Sequence, residues 1–145
     1  MQPVLFDTSI YITALRIGDD AALGLRRIAG GAAVWLSSVV LEELYAGMNL
    51  RDRHIVERLE RDFHQARRIL VPNLTDWTQS GTVLARLAAK YDYEQIGRGR
   101  LTNDTLIAMS AGRLGITVIT ANARDFGKLE EFRSFRWRIE KPSGN

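Results

Sequence analysis

The stretch Pro3-Val4-Leu5-Phe6-Asp7-Thr8-Ser9 decides the fold class, because a short apolar run stops abruptly at an acid and two hydroxyl side chains. A run of this length with a polar boundary is typical of a buried strand. Beyond it, Ile10, Ala14 and Ile17 recur at the spacing of one helix face. The pattern therefore predicts a strand that leads directly into a helix, with Asp7 at the junction.

The same alternation of apolar runs and helical patterns continues along the chain. It favours a three-layer α/β/α fold around a mostly parallel sheet. We expect the segment 94–101, which contains two glycines, to be a loop, and Thr102 or Asn103 to cap the helix that begins there. The predicted strands are residues 3–6, 33–36, 69–71, 116–120 and 135–139, and the predicted helices are residues 10–17, 19–28, 38–47, 50–68, 75–91 and 102–114.

Composition limits the class of protein and the kind of site. The 145 residues contain no internal repeat or linker, which predicts one domain over residues 1–145. The chain has no apolar run of membrane-spanning length and its N-terminus lacks the pattern of a secretory signal, so we expect a cytoplasmic protein without a membrane segment. With no Cys and two His, a thiolate nucleophile and a Cys/His zinc site are excluded. Any metal is therefore expected on carboxylates.

Two acids stand just after predicted strands. Ligands of parallel α/β sheets bind beyond the carboxyl ends of the strands. Asp7 ends the first apolar run, and Asp125 follows the strand 116–120 by a few residues. Both acids are therefore candidates for a functional site.

A third candidate, Asp104, is identified by its helix face. At 100° per residue it shares the apolar stripe of Ile107, Ala108, Ala111 and Leu114. An ionised carboxylate on a core-facing stripe needs a partner, and a metal ion is one such partner. Asp104 is therefore a candidate metal ligand.

The fourth candidate comes from the adjacent pair Glu42 and Glu43, which flank one apolar stripe almost symmetrically. Gly47 lies four residues after Glu43, so no side chain covers Glu43 there, whereas Ala46 stands at the same spacing from Glu42. We therefore favour Glu43 as the acid that reaches the end of the sheet.

Each acid taken alone also fits an ordinary use as a helix cap, a turn former or a solvated charge. Together they suit Mg²⁺, which proteins hold with a few carboxylates plus waters. Hydroxyl and amide groups beside the acids can hold waters or ligand, and these belong to Thr8, Ser9, Thr120 and Asn122.

Four motifs occur in order: Leu-Phe-Asp7-Thr-Ser, Ser38-Val-Val-Leu-Glu-Glu43-Leu-Tyr-Ala-Gly47, Asn103-Asp104-Thr-Leu-Ile-Ala and Thr120-Ala-Asn122-Ala-Arg-Asp125-Phe. Over nearly the whole chain this pattern resembles the PIN-domain ribonucleases, especially the VapC-type toxins of toxin–antitoxin pairs. The resemblance implies that the metal-binding acids are Asp7, Glu43, Asp104 and Asp125. It places Thr120 and Asn122 in the polar positions that accompany the last aspartate.

The chemistry implied by the resemblance is hydrolysis of an RNA phosphodiester by a water that Mg²⁺ activates, with Mn²⁺ as a substitute. Four carboxylates repel RNA, so basic side chains must offset their charge, and we nominate Arg98, Arg100 and Arg124. The resemblance also implies a homodimer and a cognate antitoxin that inhibits the site. The apolar residues available for an antitoxin groove are Tyr45, Met48, Leu50, Ile55 and Leu59, and the alternative that they belong to the domain core stays open, above all for Ile55 and Leu59.

Other classes of protein also use an acid after the first strand. Phosphatases of the haloacid-dehalogenase type need a second Asp two residues on, where this chain has Ser9, and receiver domains need an acidic pair before the first strand, which is absent. Two alternatives to the toxin stay open. One is a solitary PIN-domain nuclease that processes RNA, and the other is a PIN-like module that binds without catalysis.

Overall fold

The central sheet determines where the site lies. The computed structural model describes residues 2–47, 49–92 and 98–140, of which residues 98–100 by backbone only. Its strands are β1 (Val4–Phe6), β2 (Val34–Ser37), β3 (Ile69–Leu70), β4 (Thr117–Thr120) and β5 (Trp137–Ile139). They pair in the order β3-β2-β1-β4-β5, and each of these pairings is parallel. The expected parallel sheet, with residues 135–139 supplying its edge strand, is confirmed.

Helices connect the strands and cover the sheet, which confirms the three-layer α/β/α fold. None of the described helices is both long and apolar enough to cross a membrane. The helices are α1 (Thr8–Ile17), α2 (Asp19–Leu23), α3 (Leu25–Ile28), α4 (Ser38–Gly47), α5 (Arg53–Gln65), α6 (Leu74–Lys90), α7 (Arg98–Arg113) and α8 (Ala123–Glu130), and a 3-10 turn at Leu50–Asp52 precedes α5.

The single helix predicted over residues 19–28 is wrong, because the chain breaks it at Gly24 into α2 and α3. A Cβ at position 24 would lie 2.8 Å from the carbonyl oxygen of Asp20, which is closer than packed atoms tolerate. Glycine therefore allows the tight turn between the two short helices.

The start of α7 also differs from the prediction. The helix begins at Arg98, not at Thr102 or Asn103, so the expected loop is wrong over residues 98–101, while residues 94–97 lie outside the described part of the chain. The side chain of Leu101 is buried, and the Thr105 hydroxyl donates to its carbonyl oxygen at 2.6 Å. Burial of a leucine offsets the helix cost of Gly99, which is about 1 kcal/mol.

Three adjacent parallel strands bring distant parts of the sequence together at the edge of the sheet formed by their carboxyl ends. β1 lies between β2 and β4, and the backbone N–H of Asp7 donates to the carbonyl oxygen of Ile119 at 3.0 Å. Parallel strands end on the same side, so the residues that follow β1, β2 and β4 gather there. All four predicted acids lie on elements that begin at or pack beside this edge.

Candidate metal-dependent nuclease site

Asp7 is the most enclosed acid of the predicted site. It is the N-cap of α1 and is only 3% exposed. Ser9 donates to its Oδ1 atom through the backbone N–H at 3.1 Å and through Oγ at 2.5 Å, and Thr120 Oγ1 donates to Oδ2 at 2.6 Å. Burial raises the pKa of Asp7, although these hydrogen bonds act to lower it. Hydrogen bonds from uncharged donors therefore hold both carboxylate oxygens of Asp7 in position.

Glu43 reaches the same edge from α4, and Glu42 does not. The Thr8 hydroxyl donates to Glu43 Oε1 at 2.8 Å, while the side chain of Glu42 is exposed. Burial raises the pKa of Glu43, hydrogen bonds from Thr8 and Asn103 lower it, and the charges of Glu42 and Asp7 raise it further. Glu43 and Asp7 thus lie close enough to repel each other.

Asp104 lies inside the molecule on α7. It is 7% exposed, and Ile107, Ala108 and Ala111 of the same predicted stripe are fully buried. Leu114 does not continue this stripe, because it lies beyond the end of α7 and is 45% exposed. The preceding residue, Asn103, hydrogen-bonds Glu43, which places this turn of α7 beside α4.

Asp125 connects to the other acids through polar neighbours. It sits in the first turn of α8, where Asn122 caps the helix and donates from Nδ2 to Asp125 Oδ2 at 2.8 Å. The backbone N–H of Asn122 donates to Thr120 Oγ1 at 2.9 Å, and Thr120 in turn donates to Asp7. A continuous hydrogen-bonded path therefore joins Asp125 to Asp7.

Each polar residue predicted beside the acids takes part in these contacts, namely Thr8, Ser9, Thr120 and Asn122. Over the described ranges, however, no three Asp, Glu or His side chains lie close enough together to hold one metal ion. The predicted acids therefore lie on elements that meet near the carboxyl ends of the strands, but the described side chains are not arranged to coordinate one ion together.

Asn103 is a site residue that the sequence reading did not identify. It was expected only as a possible helix cap, yet it lies inside α7 and hydrogen-bonds the side chain of Glu43. Its position directly before Asp104 was the available signal, but using it required the correct start of α7.

The basic residues nominated for RNA contact have different outcomes. Arg124 is exposed in the first turn of α8, beside Asp125. The side chains of Arg98 and Arg100 lie outside the described part of the structure, so their nomination stays a prediction.

The proposed antitoxin groove needs a correction. Ile55 and Leu59 are buried in the core and cannot receive a partner, while Leu50 is 86% exposed. Tyr45 is half-buried, with its hydroxyl donating to Glu60 Oε1 at 2.6 Å. Met48 lies outside the described residues.

Comparison with known families identifies the domain. The PIN domain family model matches residues 4–131. The chain belongs to the PIN domain family. PIN domains are generally nucleases, and they generally use divalent metals. Among curated proteins, no sequence matches this PIN domain.

Solved structures share the fold at low sequence identity. DNA-bound VapBC from Salmonella typhimurium matches with a TM-score of 0.67 and 24% identity, covering 96% of this chain and 98% of that chain. VapBC2 from Rickettsia felis, bound to a promoter DNA fragment, matches with a TM-score of 0.65 and 20% identity, covering 97% and 100%. VapBC-1 from nontypeable Haemophilus influenzae matches with a TM-score of 0.61 and 21% identity, covering 95% and 98%.

Proposed function

We propose that this PIN domain is an endoribonuclease that depends on a divalent metal and serves as the toxin of a VapBC-like toxin–antitoxin pair. The observation that supports this most directly is the environment of Asp7. Its carboxylate is buried at the end of a central strand, is held by neutral donors and lies close enough to Glu43 for mutual repulsion. An acidic site of this kind favours a cation.

The donor set fits Mg²⁺. The carboxylates of Asp7, Glu43, Asp104 and Asp125 are the hard oxygen ligands that this ion prefers, and Mn²⁺ accepts the same ligands. Burial raises the pKa of Asp7 and of Glu43, and a nearby dication would favour their ionised forms. When bound, a divalent ion would lower the pKa of an attacking water and offset the charge of the scissile phosphate.

The polar residues would keep the acids in fixed orientations during hydrolysis. Ser9 and Thr120 orient Asp7, and Thr8 orients Glu43. A water oxygen would bond to phosphorus as the bond from phosphorus to the 3′ oxygen breaks, and the leaving oxygen would take up a proton. The products would be a 5′-phosphate and a 3′-hydroxyl. The exposed Arg124 would contact the RNA backbone.

The nuclease assignment is tested with purified protein, free of any partner, and a single-stranded RNA in Mg²⁺, Mn²⁺ or EDTA. We expect cleavage with either ion and none in EDTA, with fragments ending in 5′-phosphate. The Asp7→Asn variant, prepared in parallel, controls for contaminating nuclease. Cleavage at the full rate in EDTA would contradict the metal-dependent mechanism.

The toxin role is supported by the fold shared with three VapBC complexes. We expect expression of the wild-type chain in bacteria to arrest growth, and expression of Asp7→Asn at the same level to permit it. An active but harmless enzyme would instead assign the chain to RNA processing.

We also propose a homodimer that an antitoxin inhibits by placing an arginine or lysine among the four carboxylates. Inhibition should then weaken as Mg²⁺ is added. Light scattering measures the dimer, and a monomer at micromolar concentration contradicts it.

For the antitoxin surface, Leu50→Asp is a cleaner variant than Tyr45→Asp, because Leu50 is exposed and Tyr45 packs against the core. Unchanged antitoxin affinity in both variants contradicts this surface.

A further inference from the structure

A cleft of about 400 Å³ opens directly beside the acidic site. We propose that it binds one unpaired nucleotide of the RNA substrate next to the cleaved bond, with a phosphate held by Arg16 and Arg51. This inference rests on the proposed ribonuclease function and adds a subsite to it. The volume lies in the usual range for a ligand pocket, roughly 300–1,000 Å³.

The position of the cleft follows from the two helices that bear site residues. Ile12, Leu15 and Arg16 of α1 line one part, and α4 and the turn after it line the rest. Glu43 belongs to both places, since it lines the cleft and also accepts the hydrogen bond from Thr8, next to Asp7. RNA positioned for cleavage at these acids would therefore extend a neighbouring nucleotide into the cleft.

The charges of the cleft suit a phosphate. Arg16 comes from the last turn of α1 and Arg51 from the 3-10 turn, and both side chains are exposed. Within the described ranges neither guanidinium forms an ion pair, in contrast to Arg53, which pairs with Glu57 at 2.7 Å. One other acid, Asp52, lines the cleft beside Glu43. Free guanidinium groups next to a catalytic acid offset the repulsion between that acid and RNA.

The remaining lining suits a base or ribose. The half-buried Leu15 provides apolar surface, as does Ile12, which is 40% exposed. Asn49 also lines the cleft, and its side chain makes no capping hydrogen bond, so the amide can donate to and accept from the edge of a base. Single-stranded RNA is recognised in this way, with unstacked bases on side-chain surfaces and hydrogen bonds to their edges.

A protein segment is a poorer match for these charges. An acidic segment held by Arg16 and Arg51 would be repelled by Glu43 and Asp7. A basic segment lying along the cleft would be repelled by the arginines, whereas the single basic residue proposed for the antitoxin has only to reach the carboxylates. A nucleic-acid strand presents phosphates to the arginines while its apolar and hydrogen-bonding bases face the rest of the cleft.

Binding is tested with fluorescent single-stranded RNA 12-mers of random sequence, followed by anisotropy in EDTA, where no cleavage is expected. Each lost phosphate contact should flatten the slope of log affinity against log salt by about 0.7, which corresponds to roughly a five- to tenfold loss of affinity at low salt. We expect this change for Arg16→Gln and for Arg51→Gln, and about twice the change in slope for the double variant. Arg53→Gln, two positions from Arg51 and outside the cleft, is the matched control.

A second variant separates the shape of the cleft from its charge. Gly47 lines the cleft, and a Cβ at this position meets no atom within 4 Å, so a side chain can start here without a backbone clash and extend into the cleft. We expect Gly47→Leu to fill part of the cleft and weaken RNA binding, while thermal unfolding shows that the domain stays folded. Ala46→Leu, at the exposed neighbouring position outside the cleft, should bind as the wild type does.

The outcomes distinguish this subsite from the nuclease assignment. If the wild type cleaves RNA but the double arginine variant and Gly47→Leu bind and cleave RNA as it does, the subsite is wrong and the nuclease function stands. If the wild type does not cleave and the variants nevertheless flatten the salt slope, the cleft binds RNA and the nuclease function is wrong. If the double variant keeps the wild-type slope but no longer binds the cognate antitoxin, the cleft docks protein and the proposal is overturned.

Discussion

Asp7 and Asp76 are both buried aspartates that bond near the start of a helix, but their partners differ in charge. Asp76 is fully buried and forms an ion pair with Arg113, whose Nη2 lies 3.0 Å from Asp76 Oδ2. It also shares a capping box with Asn73 at the start of α6. Asp7 is bonded by hydroxyl and amide groups alone, and in the described part of the chain no Lys or Arg pairs with it.

The difference separates a structural acid from one suited to bind a cation. A carboxylate removed from water must recover its solvation energy from its partners. Arg113 and Asn73 satisfy Asp76 within the protein, and the result is a link between α6 and α7. Around Asp7 the carboxylate is oriented but not neutralised, because its hydrogen-bond donors are uncharged and Glu43, whose pKa the charge of Asp7 raises, is itself an acid.

The largest effect is expected from Asp7→Asn. The amide keeps the volume of the side chain but removes charge from the metal site, so RNA cleavage should fall by about a thousandfold or more. The domain should keep its fold, since the hydroxyls of Ser9 and Thr120 can bond to an amide. Single-turnover cleavage and thermal unfolding measure the two properties. Near-normal cleavage would place the essential acid elsewhere.

Asp76→Asn should show the opposite behaviour. The substitution breaks an ion pair whose other member, Arg113, is 33% exposed and partly solvated, at a cost of roughly 2 kcal/mol in the free energy of unfolding. Urea unfolding measures this loss, and cleavage by the fraction that remains folded should be unchanged. Loss of cleavage without loss of stability would show that Asp76 and Asp7 do not differ in the way proposed.

The adjacent residues Glu42 and Glu43 allow the same comparison between an acid at the site and one outside it, with a smaller expected loss of cleavage. Glu43→Gln should lower cleavage by about a hundredfold, because it removes a charged ligand candidate that Thr8 orients. Glu42→Gln changes an exposed side chain and should leave cleavage within a few-fold of the wild type. The reverse order would show that α4 presents Glu42 to the site.

The smallest expected effect is on the pH dependence of stability without metal. Burial raises the pKa of Asp7, so the folded protein holds this proton more tightly than the unfolded chain does. Stability from this group is present below its unfolded pKa of about 3.9 and is lost as the pH rises through the raised folded value. In EDTA, the wild type should therefore lose stability relative to Asp7→Asn across this range. A relative gain with rising pH would mean that Asp7 is charge-compensated in the fold.

Much of the fold was predictable because strands and helices have local patterns. Continuous apolar runs predicted the first four strands, the alternation over residues 135–139 predicted β5, and Asp7 was placed correctly at the end of β1. Helix ends were less predictable. Gly99 suggested a loop, but burial of Leu101 extends α7 across it, and this burial depends on residues that are distant in sequence.

The fold class follows from the sequence, as does the prediction of four acids with polar residues beside them, because strand ends and helix faces are properties of spacing. The tertiary structure alone decided which groups meet. The bond from Thr120 to Asp7 spans 113 positions, and the contact of Asn103 with Glu43 needs α7 to pack beside α4. The ion pair of Asp76 with Arg113 and the cleft lined by Arg16 and Arg51 likewise join residues from separate elements of the fold. No local pattern specifies such contacts, since each depends on how separate helices pack on the sheet.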